Sequence, residues 1–227
     1  CLQQINSQEV NICTVEDPIE YKLTGVNQFQ VNEKIGFTFA TALRSLLRQD
    51  PDIVMVGEMR DTETARIAIQ AALTGHLVFS TLHTNDAPSS IVRMINMGIE
   101  PYLIAASLRA VLAQRLVRKI CPACKEPCEP PLAVRHVIEK AAGPVETIYH
   151  GRGCKKCRNT GYLGRIGIYE LLIPDNEMLE AVAQGSTIQA LRQMCKDRNI
   201  GTLRADGLRK VKAGITTYEE ILRATAL

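Results

Sequence analysis

The stretch LRQDPDIVMVGEMRD, Leu47–Asp61, decides the fold of this chain. Its centre, Ile53–Val56, is an unbroken run of β-branched and long apolar side chains, which predicts a strand buried on both faces. Glu58 follows that strand after one glycine, and ligands bind at the carboxyl edge of open α/β sheets. Arg48 and Arg60 flank the strand. The whole arrangement predicts a site for Mg²⁺ and phosphate, although each residue alone would fit an ordinary core strand with a charged end.

Length and composition exclude several classes of protein. The chain has 227 residues, enough for one large or two small domains, and its 46% hydrophobic and 22% charged residues are ordinary for a globular protein. A formal net charge of +3 is too small to indicate a nucleic-acid partner. No apolar run approaches the roughly 20 residues of a membrane span, and residues 1–20 have no signal-peptide layout. We therefore expect a cytoplasmic protein, and the absence of an initial Met is expected either of a fragment or of an engineered expression product.

A second predicted strand, Ile12–Val15, also ends in acidic residues. It leads into Glu16-Asp17-Pro18-Ile19-Glu20, where Pro18 favours an extended or turning path. By itself, an acidic loop of this kind would be a solvated turn. Beside the acidic end of Ile53–Val56 it fits a shared cation site better, because carboxylate oxygens are the ligands that Mg²⁺ prefers in proteins.

A third apolar run, Leu77–Leu82, predicts another buried strand, and His83 follows it. A lone histidine is more often structural than catalytic. Here three polar strand ends, at Glu16, Glu58 and His83, are expected to converge on one edge of the sheet. His76 lies at the opposite end of the same strand, and its role stays open between packing and function.

Helical spacing connects these strands. Thr38–Arg48 is predicted to be a helix that places Arg44 and Arg48 on one face, and Asp61 is predicted to cap the next helix. Tyr21–Phe37 alternates loosely between polar and apolar residues and predicts a strand or a hairpin. The other helices predicted in the first half of the chain cover residues 61–73, 87–97 and 101–119.

Two cysteine pairs mark a change of character at Cys121. The pairs, Cys121-Pro-Ala-Cys124 and Cys154-Lys-Lys-Cys157, are separated by 29 intervening residues. Four thiolates at this spacing are typical of a tetrahedral structural Zn²⁺ site, which contributes folding energy to a small subdomain. A predicted helix over residues 131–142 accounts for the length between the pairs. A redox pair is the alternative, and the presence of two pairs disfavours it.

The last part of the chain is predicted to contain a strand pair and helices. Three glycines punctuate Thr160–Glu170, with Arg165 between two of them. Thr217 and Glu220 have the spacing of a capping box. We expect the helices of this part to serve packing, at residues 177–183, 188–198, 204–213 and 218–224.

These motifs resemble the secretion ATPase superfamily that drives type II secretion and type IV pilus assembly, and the resemblance covers essentially the whole chain. Glu16–Glu20 is similar to the aspartate box of that family, Leu47–Asp61 to its Walker B segment, and Thr74–Asp86 to its histidine box. The four cysteines resemble its zinc-binding insertion. The resemblance implies an α/β fold with an incomplete RecA-like ATPase core at residues 1–119, a zinc-binding subdomain at 120–160, and a hairpin and helical region at 161–227.

The same resemblance implies the activity and the partners. Such proteins form homo-hexamers that convert ATP hydrolysis into motion of an inner-membrane platform protein, and they associate peripherally with the inner membrane through it and a cytoplasmic assembly partner. The implied cofactors are ATP, Mg²⁺ and Zn²⁺. The zinc insertion indicates secretion or pilus extension, because relatives of the retraction type generally lack it.

The resemblance also assigns roles to single residues. It implies that Glu58 positions the attacking water and helps to hold Mg²⁺, that Glu16 and Asp17 support the same metal and water, and that His83 contacts the γ-phosphate region. His76 lies in the same histidine box. The arginines that the resemblance implies neutralise phosphate charge or bridge subunits are Arg44, Arg48, Arg60 and Arg165.

One element of the family is missing from the sequence. No G-x-x-x-x-G-K-[ST] motif is present, so the P-loop that cradles the phosphates is absent. We expect that the parent protein hydrolyses ATP and that this chain alone does not bind it appreciably. Two alternatives remain at this point. One is a non-catalytic zinc-bearing assembly module, and the weaker one is a DNA-packaging or conjugation motor.

Overall fold

A computed structural model describes residues 2–226. Two compact units are formed, and both are discontinuous in sequence. The first contains the residues up to Thr84 together with Ser89–Arg109 and Pro174–Leu191. The second contains Asn85–Pro88, Ala110–Ile173 and the residues from Arg192 onward.

The first unit is built on a four-stranded parallel sheet. Its strands are β1 (Ile12–Glu16), β2 (Asn27–Gln30), β3 (Ile53–Val56) and β4 (Leu77–Ser80), in the spatial order β2-β1-β3-β4. The register pairs Ile12 with Ile53 and Ile53 with Leu77, so these three strands begin and end together. The predicted strands at residues 12–15 and 53–56 are confirmed. Residues 21–37 supply the parallel edge strand β2, which is followed by an antiparallel bridge between Asn32 and Phe37.

Apolar side chains of β1 and β3 fill both faces of this sheet. On one face, Val54 and Val56 pack with Leu43, Ile67 and Ala68. The alternate residues of the two strands pack on the opposite face with Leu2 and neighbouring side chains. Burial on both faces explains why β3 needs a continuous apolar sequence instead of an alternating one.

The helices of the first unit follow the predicted positions in most places. Thr38 caps helix α2 (Phe39–Leu46), and Asp61 caps helix α3 (Thr62–Leu73). Each side chain accepts a hydrogen bond from the backbone N–H three residues later. The helices in the first half of the chain are α1 (Leu2–Ile5), α2 (Phe39–Leu46), α3 (Thr62–Leu73), α4 (Ala87–Asn96) and α5 (Pro101–Ser107).

The predicted helix at residues 101–119 is wrong beyond its second turn. Helix α5 ends at Ser107, and Val111–Ile120 forms a ten-residue strand, β5. The leucines at positions 108, 112 and 116 recur every four residues, which is close to a helical turn but also a multiple of the two-residue strand repeat. In the strand, the buried face contains Ala113 and Val117, while Leu112 and Leu116 are exposed.

The predicted strand at residues 77–82 is present but is less buried than predicted. Strand β4 lies at the end of the sheet order, and Leu77 is 44% exposed. An apolar run alone does not distinguish a central strand from an edge strand, since both carry β-branched and aromatic side chains.

The second unit contains two antiparallel strand pairs. Strand β5 pairs along its length with β8 (Tyr162–Leu172), and β6 (Lys125–Cys128) pairs with β7 (Ile148–Gly151). The strand pair predicted within residues 160–170 is therefore wrong, because this segment is one continuous strand. A Cβ at the internal Gly167 would lie 2.3 Å from the hydroxyl oxygen of Tyr169, so a larger residue there would displace the half-exposed Tyr169 ring.

The remaining helices are close to their predicted bounds. The segment between the cysteine pairs contains the predicted helix, α6. The helices after β8 begin and end within one residue of the predictions in most cases. Their bounds are α6 (Leu132–Ala142), α7 (Asn176–Ala183), α8 (Ile188–Asp197), α9 (Leu203–Lys212) and α10 (Tyr218–Thr225).

Two buried carboxylates organise the second unit. The two carboxylate oxygens of Glu170 accept hydrogen bonds from the backbone N–H groups of Ala87 and Leu203, at 3.0 and 3.1 Å. Glu220, which is 1% exposed, accepts hydrogen bonds from the side chains of Arg118 and Arg223. Burial alone would raise the pKa of Glu220, but these hydrogen bonds outweigh burial and lower the pKa to about 2.

No helix among residues 2–226 is both long and apolar enough to cross a membrane. The division of the chain into an ATPase core at residues 1–119, a zinc-binding subdomain at 120–160 and a last region at 161–227 stays a prediction. The two compact units are defined by contacts and divide the chain at other positions.

Candidate functional site

The carboxyl ends of β1, β3 and β4 are joined by short backbone contacts. Gly57 donates its N–H to the Val15 carbonyl at 2.7 Å, and Met59 donates to the Thr81 carbonyl at 3.1 Å. A Cβ at position 57 would lie 3.1 Å from the Val15 carbonyl oxygen and 3.4 Å from the Glu16 Cα. Glycine therefore allows the segment that carries Glu58 to approach Glu16 closely.

Glu58 lies at the centre of a charged group at this edge. Its Oε1 is 2.6 Å from the Arg60 guanidinium, and its Oε2 is 3.3 Å from His83 Nε2. The Glu58 side chain is only 13% exposed, whereas that of His83 is 90% exposed. The hydrogen bond from Arg60 lowers the pKa of Glu58, although burial acts in the opposite direction. Glu58 is therefore a carboxylate, the form that can accept a proton or a metal ion, at neutral pH.

One oxygen of Glu58 has no hydrogen-bond donor within residues 2–226. Oε2 is buried, and the His83 ring, although close, is not aligned to donate to it. Ser80 Oγ, at the end of the neighbouring strand, is likewise buried without a partner in the described residues. Buried polar atoms are rarely left without a partner, and such exceptions accompany water, ions or catalytic groups. Both atoms are therefore available to bind a ligand at this edge of the sheet.

The Glu16 side chain accepts hydrogen bonds on one of its two carboxylate oxygens. Its Oε1 accepts hydrogen bonds from Thr14 Oγ1 at 2.6 Å and from Gln28 Nε2 at 2.9 Å. Asp17 follows directly, and its negative charge acts with that of Glu58 to raise the pKa of Arg60. The carboxylates of Glu16, of the following Asp17 and of Glu58 after β3 therefore share one sheet edge with Arg60.

Arg44 and Arg48 are not brought to these carboxylates. Arg44 pairs with Glu63 at 2.6 Å, and Arg48 donates to the Arg44 carbonyl at 3.0 Å. Within the described residues, neither guanidinium forms an ion pair with Glu16, Asp17 or Glu58.

His76 lies at the opposite end of β4 from His83, and Arg165 belongs to the second unit. His76 Nδ1 is 2.9 Å from the Ala71 carbonyl oxygen, at the amino end of β4, so the four-residue strand separates it from His83. Arg165 belongs to β8 of the second unit, where it is paired in register with Arg118. Roles for these two residues in nucleotide binding stay predictions.

The four cysteines of the two pairs form one cluster in the second unit. Three pairs of sulfur atoms lie close together, Cys121 to Cys154 at 3.9 Å, Cys124 to Cys157 at 3.8 Å, and Cys154 to Cys157 at 3.7 Å. All four sulfur atoms lie within 4.8 Å of one another. A tetrahedron with Zn–S bonds of 2.3 Å has edges of about 3.8 Å. The cluster therefore has the size that a tetrahedral metal ion requires.

Two backbone N–H groups donate to the sulfur of Cys157 and favour its thiolate form. Cys157 Sγ accepts from the N–H of Cys154 at 3.2 Å and from that of Gly161 at 3.3 Å. Burial alone would raise the pKa of Cys157, but these donors outweigh it and lower the pKa to about 6. Hydrogen bonds to ligating atoms are the usual second layer of a metal site. Described cysteines outside the cluster, Cys13, Cys128 and Cys195, take no part in it.

Sequence analysis missed several residues of the sheet edge. Thr14, Gln28 and Ser80 were not singled out, although Thr14 and Ser80 are polar residues inside otherwise apolar strands. A polar residue at a position predicted to be buried is a signal, because it requires a partner. The partner itself could be known only from the register of the strands.

Comparison with known proteins places the chain among secretion proteins. A family model described as "Type II/IV secretion system protein" matches residues 1–223. The type II secretion system protein E of Dickeya dadantii is 53% identical over 99% of this chain and 44% of its own length. The type IV pilus assembly ATPase PilB of Myxococcus xanthus is 48% identical over 99% of this chain and 40% of its own length. The chain spans less than half the length of these relatives.

A solved structure has the same fold. The pilus retraction motor PilT, crystallised with ADP, superposes on this chain with a TM-score of 0.70 at 30% identity, over 98% of this chain and 55% of that one. The ATPase DotB of Legionella pneumophila superposes with a TM-score of 0.67 at 21% identity. The second likeness concerns the fold alone.

Proposed function

The chain belongs to the type II/IV secretion system protein family, and from that premise we propose that it is the catalytic carboxyl-terminal part of a hexameric ATPase. The parent protein would couple ATP hydrolysis to type II protein secretion or to type IV pilus extension. Relatives named as secretion protein E and as a pilus assembly ATPase match along 99% of the chain.

One observation supports the ATPase proposal above the others. Glu58 Oε2 is a buried carboxylate oxygen without a hydrogen-bond donor among residues 2–226, and it lies at the carboxyl edge of a parallel sheet. That edge is where ligands of α/β sheets bind. An oxygen with free lone pairs in this place fits the donor set that Mg²⁺ and an attacking water require.

The proposed chemistry divides between the residues of the edge. Glu58 orients the attacking water and accepts its proton, while Arg60, bonded to the other oxygen of Glu58, keeps the carboxylate ionised. Glu16 and Asp17 contribute further negative charge for the magnesium ion. The exposed ring of His83 is free to turn from Glu58 towards the γ-phosphate region. Mg²⁺, when bound, would neutralise charge that develops on the phosphoryl oxygens, which is the main catalytic demand in this chemistry.

Arg44, Arg48 and Arg165 are proposed to act at subunit boundaries or on phosphate held by another subunit. Arg44 pairs with Glu63 and Arg48 donates to the Arg44 carbonyl, and these contacts support this role over charge neutralisation at Glu58 within the same chain. The proposed homo-hexamer would act on an inner-membrane platform protein and bind a cytoplasmic assembly partner, at the inner membrane and without a nucleic-acid partner. His76 is proposed to support the histidine box from the amino end of β4.

The four-cysteine cluster is proposed to hold one structural Zn²⁺. Cys121, Cys124, Cys154 and Cys157 would be its ligands, because their sulfur atoms are spaced as the edges of a zinc tetrahedron. A structural zinc ion with four cysteine ligands needs no open coordination position for water or substrate. The metal would join the segment before β6 to the segment before β8.

Calorimetric titration with Mg–ATP tests the proposal. We expect the full-length parent protein to bind ATP with micromolar affinity and to hydrolyse it. This chain alone should show no saturable heat up to millimolar ATP, because the sequence has carboxylates for the metal and water but no phosphate-binding loop. Micromolar binding by the chain alone would contradict the division of the site. A parent protein that binds ATP without hydrolysing it would indicate a non-catalytic assembly module.

A further inference from the structure

A polar side chain lies in the sheet where an apolar one would be expected. Thr14 is at the centre of β1 with no exposed surface, and the half-buried Gln28 occupies the adjacent position on the edge strand β2. A buried hydroxyl without a partner is costly, so the residue type at position 14 indicates a specific partner. That partner is the carboxylate of Glu16.

The strand register explains how three side chains meet. Thr14 and Glu16 are two residues apart on β1, so their side chains point to the same face of the sheet. Gln28 is the direct parallel neighbour of Thr14, and its side chain is on that face too. Both donors reach the same atom, Glu16 Oε1, at 2.6 and 2.9 Å. Within residues 2–226, the hydrogen bonds that the Glu16 side-chain carboxylate receives end on Oε1, which keeps the lone pairs of Oε2 for a ligand.

Gln28 has a second set of contacts. Its amide nitrogen also donates to the Tyr21 carbonyl at 2.9 Å, and its amide oxygen accepts from the Leu23 N–H at 2.7 Å. The loop that begins with Asp17 is thereby tied to the same amide that holds Glu16. With all these contacts made, neither rotation of the amide nor exchange of its oxygen and nitrogen would preserve them.

We propose that Thr14 and Gln28 are positioning residues that fix the orientation of Glu16 for the reaction. The consequence for catalysis rests on the proposed ATPase function, whereas the orientation of Glu16 is a property of this chain alone. Neither residue touches the substrate. They act by restricting the rotamers of a carboxylate whose misplacement by an ångström would cost much of its effect.

The test uses variants that change the donors and preserve the packing. Thr14→Val removes the hydroxyl at constant shape, and Thr14→Ser restores it. Gln28→Met removes the amide at similar length. Gln114→Met, at an exposed strand position of the second unit, is the matched control for Gln28→Met. Thermal unfolding of each variant checks that the chain is folded.

Two readouts in the isolated chain report on Glu16 without any nucleotide. The first is the ¹³C resonance of the Glu16 carboxyl carbon, assigned by its disappearance in Glu16→Gln. We expect Thr14→Val and Gln28→Met to shift it, and Thr14→Ser and Gln114→Met to leave it in place. The second is hydrogen exchange at the Leu23 amide, which should accelerate roughly tenfold or more in Gln28→Met and stay unchanged in Thr14→Val. An unchanged carboxyl resonance in both variants would overturn the proposal.

The same variants in the full-length protein test the catalytic consequence. We expect Thr14→Val and Gln28→Met each to lower kcat roughly tenfold with little change in KM, and Thr14→Ser to retain most of the activity. A shifted resonance with full kcat would overturn the positioning role. If the unmodified full-length protein fails to hydrolyse ATP, the proposed function is contradicted, and the resonance data still decide the orientation of Glu16.

Discussion

Substitution of Glu58 by Gln in the full-length protein is expected to abolish ATP turnover while ATP binding is retained. The amide has nearly the same shape but can neither accept a proton from water nor carry the negative charge that a magnesium ion requires. Loss of a general base or metal ligand of this kind typically costs 10²- to 10⁴-fold in rate, so kcat should fall by roughly a hundredfold or more. Phosphate release measures the turnover, and calorimetry measures the binding.

The effect should be specific to Glu58, and not a result of lost folding. Its ion pair with Arg60 involves a guanidinium that is 63% exposed, so the Arg60 charge stays solvated in the variant. Glu100→Gln is the matched control, because Glu100 also pairs with an exposed arginine, Arg66, at 2.8 Å in the same unit. A kcat within a few-fold of the unmodified protein in Glu58→Gln would count against the assignment, as would an equal loss in Glu100→Gln.

Removal of the metal from the four-cysteine cluster should unfold the segment around it. Elemental analysis is expected to find about one zinc per chain, and Cys157→Ser or a strong chelator should remove it. Structural zinc supplies about 10–16 kcal/mol to small zinc domains, so the cluster without it should lose its structure. Hydrogen exchange over residues 121–161 should then accelerate strongly, because the sulfur atoms and the N–H groups that contact Cys157 no longer share a fixed geometry.

Cys128→Ser controls for general effects of thiol replacement. Cys128 lies in β6, close in sequence to the cluster, but is not one of the four clustered sulfur atoms. Its zinc content and its hydrogen exchange should match those of the unmodified chain. A metal-free chain with the same unfolding temperature as the metal-loaded one would show that zinc is not structural here.

Local signals were sufficient to predict much of the first unit. Ile53–Val56 is apolar throughout because both of its faces are covered. The Asp61 cap could be predicted because a cap involves only neighbouring residues: its side chain bonds to the N–H three residues later. The convergence of Glu16, Glu58 and His83 needed only the rule that parallel strands end on one edge. Contacts at that edge agree with the rule for Glu58 and His83.

Features that depend on distant partners could not be predicted. The leucine spacing of β5 fits the helical and the strand period alike, so the sequence predicts a helix there. Its strand partner β8 lies about fifty residues away in the sequence. The edge position of β4 depends on the order of strands, which apolar content does not encode. Similarly, the contact of Gln28 with Glu16 follows from a register that places position 28 beside position 14.

A double-mutant cycle on Glu16 and Glu58 tests most directly whether the strand ends form one ATPase site. In the full-length protein, kcat is measured for Glu16→Gln, for Glu58→Gln and for the variant with both changes. If both carboxylates serve one magnesium ion and one water, each single change should lower kcat strongly and the double change should cost little more than the larger single one. Full activity in Glu16→Gln, or losses that multiply in the double variant, would contradict a shared site.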